Sequence, residues 1–400
     1  MSEVLVLYVG GDSELAEFSV QIGRHCGGGW EGKSAPNGNA ALKALGEQDY
    51  DLVLVDSTLP DSDACTLLEK VREAHPSMLR FVVAEVADKA SMMKLLTAAH
   101  QVIAKPYEPR TLARQLLNGV GLHQFLSDKK LVARVAGIKS LPCLPETYSK
   151  LTSELGSDQA SAKRVAELVS ADAAVTAKLL QVVNSAYFGL SRRVEDVTHA
   201  VNLVGFDTVQ SLVLSAGAFD SFRGLNIPGS SIDEIYGASV RVGARSRLLA
   251  HSFGVHARAT EDSLLGGMLH TIGMLIMAKY FRTELDQALT LSRQKNISLT
   301  VAEEEIMGVS DAAIGAYLLS LWGLSNPIVE AVALYHQPSR CPSPAIGPLT
   351  FVHLGWAMAD DERRNVKDEK NSSVDTAYLE ALGLRGQLPA LRGYCAGAMA

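Results

Sequence analysis

The sequence predicts two domains of different class. An N-terminal α/β domain with a doubly wound parallel sheet covers residues 1–126. An all-helical domain covers 127–400 and includes a C-terminal tail at 361–400. Three observations carry this. Short apolar runs alternate with helical patterns as far as residue 125. Strand-like runs all but vanish beyond it. The 400-residue chain is also too long for one compact core.

The apolar runs of the first domain are Val4–Val9, 51–56 (DLVLVD), 79–84 (LRFVVA) and 101–104 (QVIA). They do not alternate with polar residues, so both faces of the sheet are covered. Helical patterns over 39–47, 66–75, 89–99 and 109–125 supply the cover. Ligands of such sheets sit at the carboxyl ends of the strands. Asp12 lies just past the first run, Asp56 ends the second and Lys105 follows the last, so the three converge on one sheet edge. Gly27-Gly28-Gly29 precedes a strand-like piece, which makes it a turn and not a phosphate loop. The amphipathic helix over 109–125 buries Leu112, Leu116, Val120 and Leu122 and leads into a short, helix-continuous linker at Ser127-Asp128-Lys129-Lys130.

In the second half, Asp172 caps a helix over Ala173–Val183, Thr300 with Glu303 forms a capping box, and Pro327 opens a helix over 328–336. Gly205 and Gly254 stand where helices stop, and Asn184 closes an apolar helix. About ten helices are expected over 127–360. The most apolar stretch, 264–273 (LLGGMLHTIG), reads as one glycine-pinched core helix with His270 near its middle and Thr271 directly after. The run DDERRNVKDEKNSS reads as a solvated loop, followed by a helix over 376–382 that packs back through Leu379, Leu382 and Leu384.

Composition narrows the function classes. Apolar residues make up 47% and charged residues 20%, ordinary for a globular chain. A formal net charge of −7 argues against a general nucleic-acid binder. The five cysteines are scattered without a CxxC pair, so neither a disulfide framework nor a zinc knuckle is expected, and a reducing cytoplasm fits. No apolar run reaches the roughly 20 residues of a membrane span.

Asp56 with Pro60 four positions on, and Lys105-Pro106 after the last strand, resemble the receiver domain of two-component response regulators. The resemblance implies that Asp56 accepts a phosphoryl group and that Lys105 pairs with it. It also implies magnesium at Asp12 and Asp56, but only if the receiver is phosphorylated. A carboxylate nucleophile needs such cations to neutralise the transferring group. Four positions depart from the pattern. Gly10 and Gly11 stand where two acidic residues belong, Ala84 where a hydroxyl belongs, and Val102 where an aromatic belongs. A degenerate receiver is the expectation.

The second half resembles the HDOD domain, a relative of the HD hydrolases found mostly in bacterial signalling proteins. The matching segments are LPCLP at 141–145, NSAYFG at 184–189, His199-Ala200 with Leu203-Val204-Gly205, the LLGGMLHTIG stretch, Gly315 with Trp322, and Tyr335-His336. HD hydrolases hold a catalytic metal with histidines and aspartates from several helices. Here Ala238-Ser239 stand where a histidine is implied, His270-Thr271 replace a His-Asp pair, Asp311 replaces a histidine, and Trp356 replaces the final aspartate. A threonine hydroxyl is neutral at pH 7 and cannot act as a hard anionic ligand. Histidines on apolar helices are usually core residues bonded to the backbone.

The expected protein is therefore a non-catalytic signalling protein with no catalytic residue, resident metal or cofactor. Its partners are other signalling proteins, not nucleic acid or membrane. Receivers also form homodimers, although no residue here forces one. Two alternatives stay open. One is a metal-dependent phosphohydrolase or cyclic-dinucleotide phosphodiesterase using His270, Asp311 and His336. The other is a cyclic di-GMP module reading phosphates with Arg192-Arg193 or Arg241, Arg245 and Arg247, although paired arginines on helices usually face solvent.

Overall fold

The computed structural model describes every residue except 1–3, 27–28, 76–77, 86–94, 96–97, 100, 137, 139–141, 143–144, 156–159, 185–193, 226, 228–229, 367–370 and 399–400. The chain divides into two compact units between Phe125 and Leu126.

The first unit runs β1 (Val4–Val9), α1 (Ser13–Val20), α2 (Ile22–Cys26), β2 (Trp30–Ala35), α3 (Gly38–Glu47), β3 (Leu52–Asp56), α4 (Ala64–Ala74), β4 (Leu79–Glu85), β5 (Gln101–Lys105) and α5 (Pro109–Leu126). The five strands pair in parallel in the order β2-β1-β3-β4-β5. Successive side chains of a strand point to opposite faces, so each apolar run feeds two cores. Leu7, Val9, Val53, Val55 and Val82 pack with Ala41, Leu45, Leu67 and Leu68. Val6, Tyr8, Leu54, Phe81 and Val83 pack on the other face with Leu15, Phe18, Leu112 and Leu116.

The strand-like piece after Gly27-Gly28-Gly29 is β2 (WEGKSA), a half-exposed edge strand too polar to count among the apolar runs, and one element, α1, exceeds the expectation. α1 begins at Asp12, whose Oδ1 accepts from the N–H groups of Glu14 (3.0 Å) and Leu15 (3.2 Å). The pattern Asp12, Leu15, Phe18, Ile22 could have revealed it. The helix expected over 89–99 falls outside the described residues apart from Leu95, Ala98 and Ala99, and Gly27-Gly28 lie outside them too. The linker is not helix-continuous. α5 ends at Leu126, and Asp128 Oδ1 accepts from the N–H groups of Lys130 and Leu131 at 2.8 and 3.3 Å. An aspartate there starts a new helix in place of extending the old one.

The second unit runs α6 (Lys129–Ala136), α7 (Glu146–Leu155), α8 (Ala162–Ser170), α9 (Ala173–Val183), α10 (Val197–Val204), α11 (Phe206–Asp220), α12 (Ile232–Ser252), α13 (Ala257–Leu269), α14 (Ile272–Tyr280) and α15 (Arg282–Lys295). It continues with α16 (Leu299–Met307), α17 (Asp311–Leu321), α18 (Asn326–Leu334), α19 (Pro348–Arg363), α20 (Thr376–Ala381) and α21 (Leu388–Ala398). That is more than the ten expected, and one run that reads as a single helix, 264–273, is split. Asn184 does close α9: its amide donates to the carbonyls of Leu180 (2.8 Å) and Val194 (2.7 Å). The residues that follow it, including Tyr187, Phe188 and Arg192-Arg193, lie outside the described set, as do Leu141, Cys143 and Leu144.

Three local expectations are corrected. The 264–273 stretch is two helices, with His270 and Thr271 at the break. His270 Nδ1 lies 2.6 Å from Gly267 O, the carbonyl that a continuous helix would offer to the Thr271 N–H. Thr300 and Glu303 form no capping box. Ser298 caps α16 by accepting from Val301 N–H, and Thr300 and Glu303 are buried inside the helix. The acidic run at 360–373 is not simply a solvated loop, because α19 continues to Arg363 and Asp361 is buried. Asp361 accepts from Arg392 Nη2 (2.7 Å) and Ser373 N–H (2.8 Å), which pins the tail. Leu379 and Leu384 are buried as expected.

Candidate functional site

At the carboxyl edge of the sheet, Lys105 reaches both acids. Its Nζ lies 2.7 Å from Asp56 Oδ2 and 3.1 Å from Asp12 Oδ2. Asp56 Oδ1 accepts from Thr58 N–H at 2.9 Å. Burial opposes the charge on Lys105, but the hydrogen bonds and fields of Asp56 and Asp12 hold it above the ordinary lysine range. Burial also works against ionised Asp12, yet the Leu15 N–H and Lys105 outweigh it and lower its pKa. An open cleft of about 440 Å³ over these groups is lined by Gly11, Asp12, Asp56, Thr58, Pro60, Glu85 and Lys105. Gly10 is not among the lining residues, and a Cβ there would meet Tyr8 and Asp56. Ala84 and Val102 sit on adjacent strands in register with one another's neighbours, Val82 opposite Val102 and Ala84 opposite Ala104.

These residues do not fit a divalent cation well. Magnesium prefers near-octahedral oxygen ligands at about 2.0–2.1 Å. Both carboxylate oxygens that face each other here are engaged by one ammonium, and the remaining two accept backbone N–H groups.

The second site is the α12–α13–α17–α18 region of the helical unit. Ser239 and Thr271, two of the positions where metal ligands were implied, bond to each other: their hydroxyl oxygens are 2.8 Å apart. Residues 32 apart in sequence carry no signal for that pairing. The His270 contact with Gly267 O makes Nδ1 the protonated nitrogen, and burial pushes its pKa down to about 4. Burial, with the nearby His270 and His353, pushes His336 down to about 3. Both rings are therefore neutral at pH 7.

The three candidate donors do come into one neighbourhood. Tyr335 stands edge-on to His270 at 5.0 Å and tilts over His336 at 3.9 Å, and Trp356 meets His336 at 4.5 Å. Asp311 Oδ1 is 3.8 Å from His336 Nε2, too far for a hydrogen bond, and accepts instead from Ala312 N–H at 2.7 Å. Among the described residues, no three His, Cys, Asp or Glu side chains are grouped to hold a metal ion.

Two features escaped the sequence. Glu303 is fully buried beside Asp311 and accepts from its N–H at 3.0 Å. Burial, with the Asp311 charge, raises its pKa far above the carboxylate range, so the carboxyl is neutral at pH 7. His353 is a structural residue: Nδ1 lies 2.7 Å from Tyr335 O, and Nε2 accepts from Asp375 N–H at 2.9 Å, tying the tail to α19. The candidate phosphate-binding arginines are not simply solvent-facing. Arg245 is buried against Glu362 at 2.6 Å, Arg247 pairs with Glu261 at 3.3 Å, and Arg241 is exposed.

Comparison with known proteins decides the family. The response regulator receiver domain model matches residues 27–117, and the HDOD domain model matches 141–338. The chain is a receiver domain fused to an HDOD domain. That combination belongs to signal transduction. An uncharacterised protein of Treponema pallidum (strain Nichols) is 27% identical to it over 259 residues, 64% of this chain and 50% of the relative. The chain thus spans about half the length of that curated relative. An HDOD domain protein of unknown function from Geobacter sulfurreducens shares the helical fold at 20% identity and a TM-score of 0.52, covering 69% of this chain and 99% of its own. A Shewanella amazonensis SB2B protein with the provisional name phosphohydrolase matches at 20% identity and the same TM-score, over 69% of this chain and all of its own. At that identity the likeness concerns fold alone. Among the described residues no single helix is long and apolar enough to cross a membrane. Ala257–Tyr280 and Arg282–Lys295 reach that length only as a pair bent by 116°.

Proposed function

We propose that the HDOD domain is non-catalytic and acts by binding a protein partner, and that the degenerate receiver regulates it. The observation that carries this reading is the Ser239–Thr271 hydroxyl pair. It satisfies two neutral side chains at positions where an HD hydrolase needs a histidine and a carboxylate. Trp356 packed on His336 fills a third such position with an apolar ring. The partner is a signalling protein, and the net charge of −7 speaks against nucleic acid.

The catalytic alternative has one favourable observation, the gathering of His270, Asp311 and His336 around Tyr335. It is tested with the full chain loaded with manganese, iron or zinc and assayed on phosphomonoesters, linear phosphodiesters and cyclic di-GMP. The expected result is turnover no higher than that of a His336→Ala variant. A stoichiometric metal with turnover abolished in that variant overturns the proposal.

The receiver half is tested by intact-mass spectrometry after acetyl phosphate and magnesium. Neither wild type nor Asp56→Asn is expected to gain a phosphoryl adduct. A phosphoryl adduct on wild type alone would make Asp56 a working acceptor.

A further inference from the structure

We propose that Lys105 is the resident cation of the receiver cleft, and that Tyr8 closes the position from which a carboxylate at residue 10 would hold a divalent ion. The proposal rests only on the degenerate-receiver half of the function proposed above. Its test reads cation binding, not phosphorylation or partner affinity, so the two can fail separately.

The charge arrangement comes first. Asp12 and Asp56 turn their Oδ2 atoms to one ammonium, at 3.1 and 2.7 Å. The other Asp12 oxygen is committed to the start of α1, and the other Asp56 oxygen to the Thr58 N–H. A metal bridging the two acids would have to displace Nζ and pull Asp12 away from its helix cap. Asp12, Asp56 and Glu85, which also lines the cleft, against one ammonium leave a formal charge of −2, one fewer negative charge than with a further acid at residue 10 or 11.

The two glycines are not equivalent. A Cβ on Gly10 would lie 2.5 Å from Tyr8 Oη and 2.7 Å from Asp56 Cβ, far inside van der Waals contact. Tyr8 itself is fully buried, and its Oη accepts from Asp12 N–H at 3.1 Å. The phenol therefore occupies the space that the first acidic side chain would need and steadies the Asp12 backbone. A Cβ on Gly11 meets nothing within 4 Å and opens onto the cleft. The cation position is closed at residue 10 and merely vacated at residue 11.

The full chain is titrated with Mn²⁺, with free ion counted by electron paramagnetic resonance and folding followed by circular dichroism. Wild type is expected to show no saturable binding at millimolar Mn²⁺. Lys105→Met, which leaves both Oδ2 atoms without their counter-ion, and Gly11→Asp, which adds an acid in open space, are each expected to bind at least about tenfold more tightly, equivalent to ~1.4 kcal/mol. Gly10→Asp is expected to gain no binding. Saturable binding by wild type equal to that of Gly11→Asp overturns the proposal. So does a folded Lys105→Met that binds no better than wild type, or a Gly10→Asp that matches Gly11→Asp. If Lys105→Met does not fold, the contrast between wild type and the two glycine variants still decides.

Discussion

Gly273→Ala is expected to lose roughly 2–3 kcal/mol or more of stability in the helical unit. A Cβ at residue 273 would lie 1.8 Å from Asp311 O and 2.7 Å from Gly315 N, both backbone atoms of α17 that cannot rotate aside. Accommodation requires α14 and α17 to separate, and close-packed cores resist such shifts. The displaced segment begins at Asp311, so the contacts to Glu303 and Ala312 would go with it. Gly237→Ala in α12 is the control. Its Cβ would meet only Arg241 Nη1 at 3.8 Å at a half-buried position, and alanine inside a helix gains about 0.5–1 kcal/mol over glycine. Urea unfolding of both variants checks the pair. A Gly273→Ala curve within about 0.5 kcal/mol of wild type would refute the close approach.

Glu303→Gln is expected to raise stability at neutral pH and to flatten its pH dependence. Burial and the Asp311 charge raise the folded-state pKa of Glu303 well above its ordinary value of 4.5. Above 4.5 the unfolded chain has released that proton while the folded chain still holds it. Stability therefore falls as pH rises, with a ceiling of about 1.4 kcal/mol per pH unit for one proton. Burial raises Asp311 in the same direction. Glutamine keeps an acceptor for the Asp311 N–H and has nothing to titrate. Unfolding followed between about pH 5 and pH 8 should show the variant's advantage widening with pH. Parallel curves would mean that Glu303 is ionised in the folded state.

The parallel strands were legible because they are fully buried: runs such as LVLVD need no tertiary information to be recognised. Their carboxyl ends brought Asp12, Asp56 and Lys105 to one edge by topology alone. β2 was legible only as a strand-like piece, because an edge strand shares its residue types with loops. The capping box assigned to Thr300 and Glu303 failed for a different reason. The spacing matched, but both side chains point into the core, and Ser298 two residues earlier holds the cap.

What the sequence determined by itself is whatever depends on chain-local chemistry: the parallel sheet, the helical second half, the family, and the loss of ionisable groups at residues 10, 11, 239 and 271. Side-chain identity and periodicity are local properties, so one dimension suffices to read them. What only the tertiary structure decided is how those losses were made good. Ser239 meets Thr271, Tyr8 fills the space over Gly10, and Glu303 buries a neutral carboxyl beside Asp311. Each joins side chains placed by packing, and buried polar groups must find partners wherever packing puts them. No spacing rule along the chain encodes that requirement.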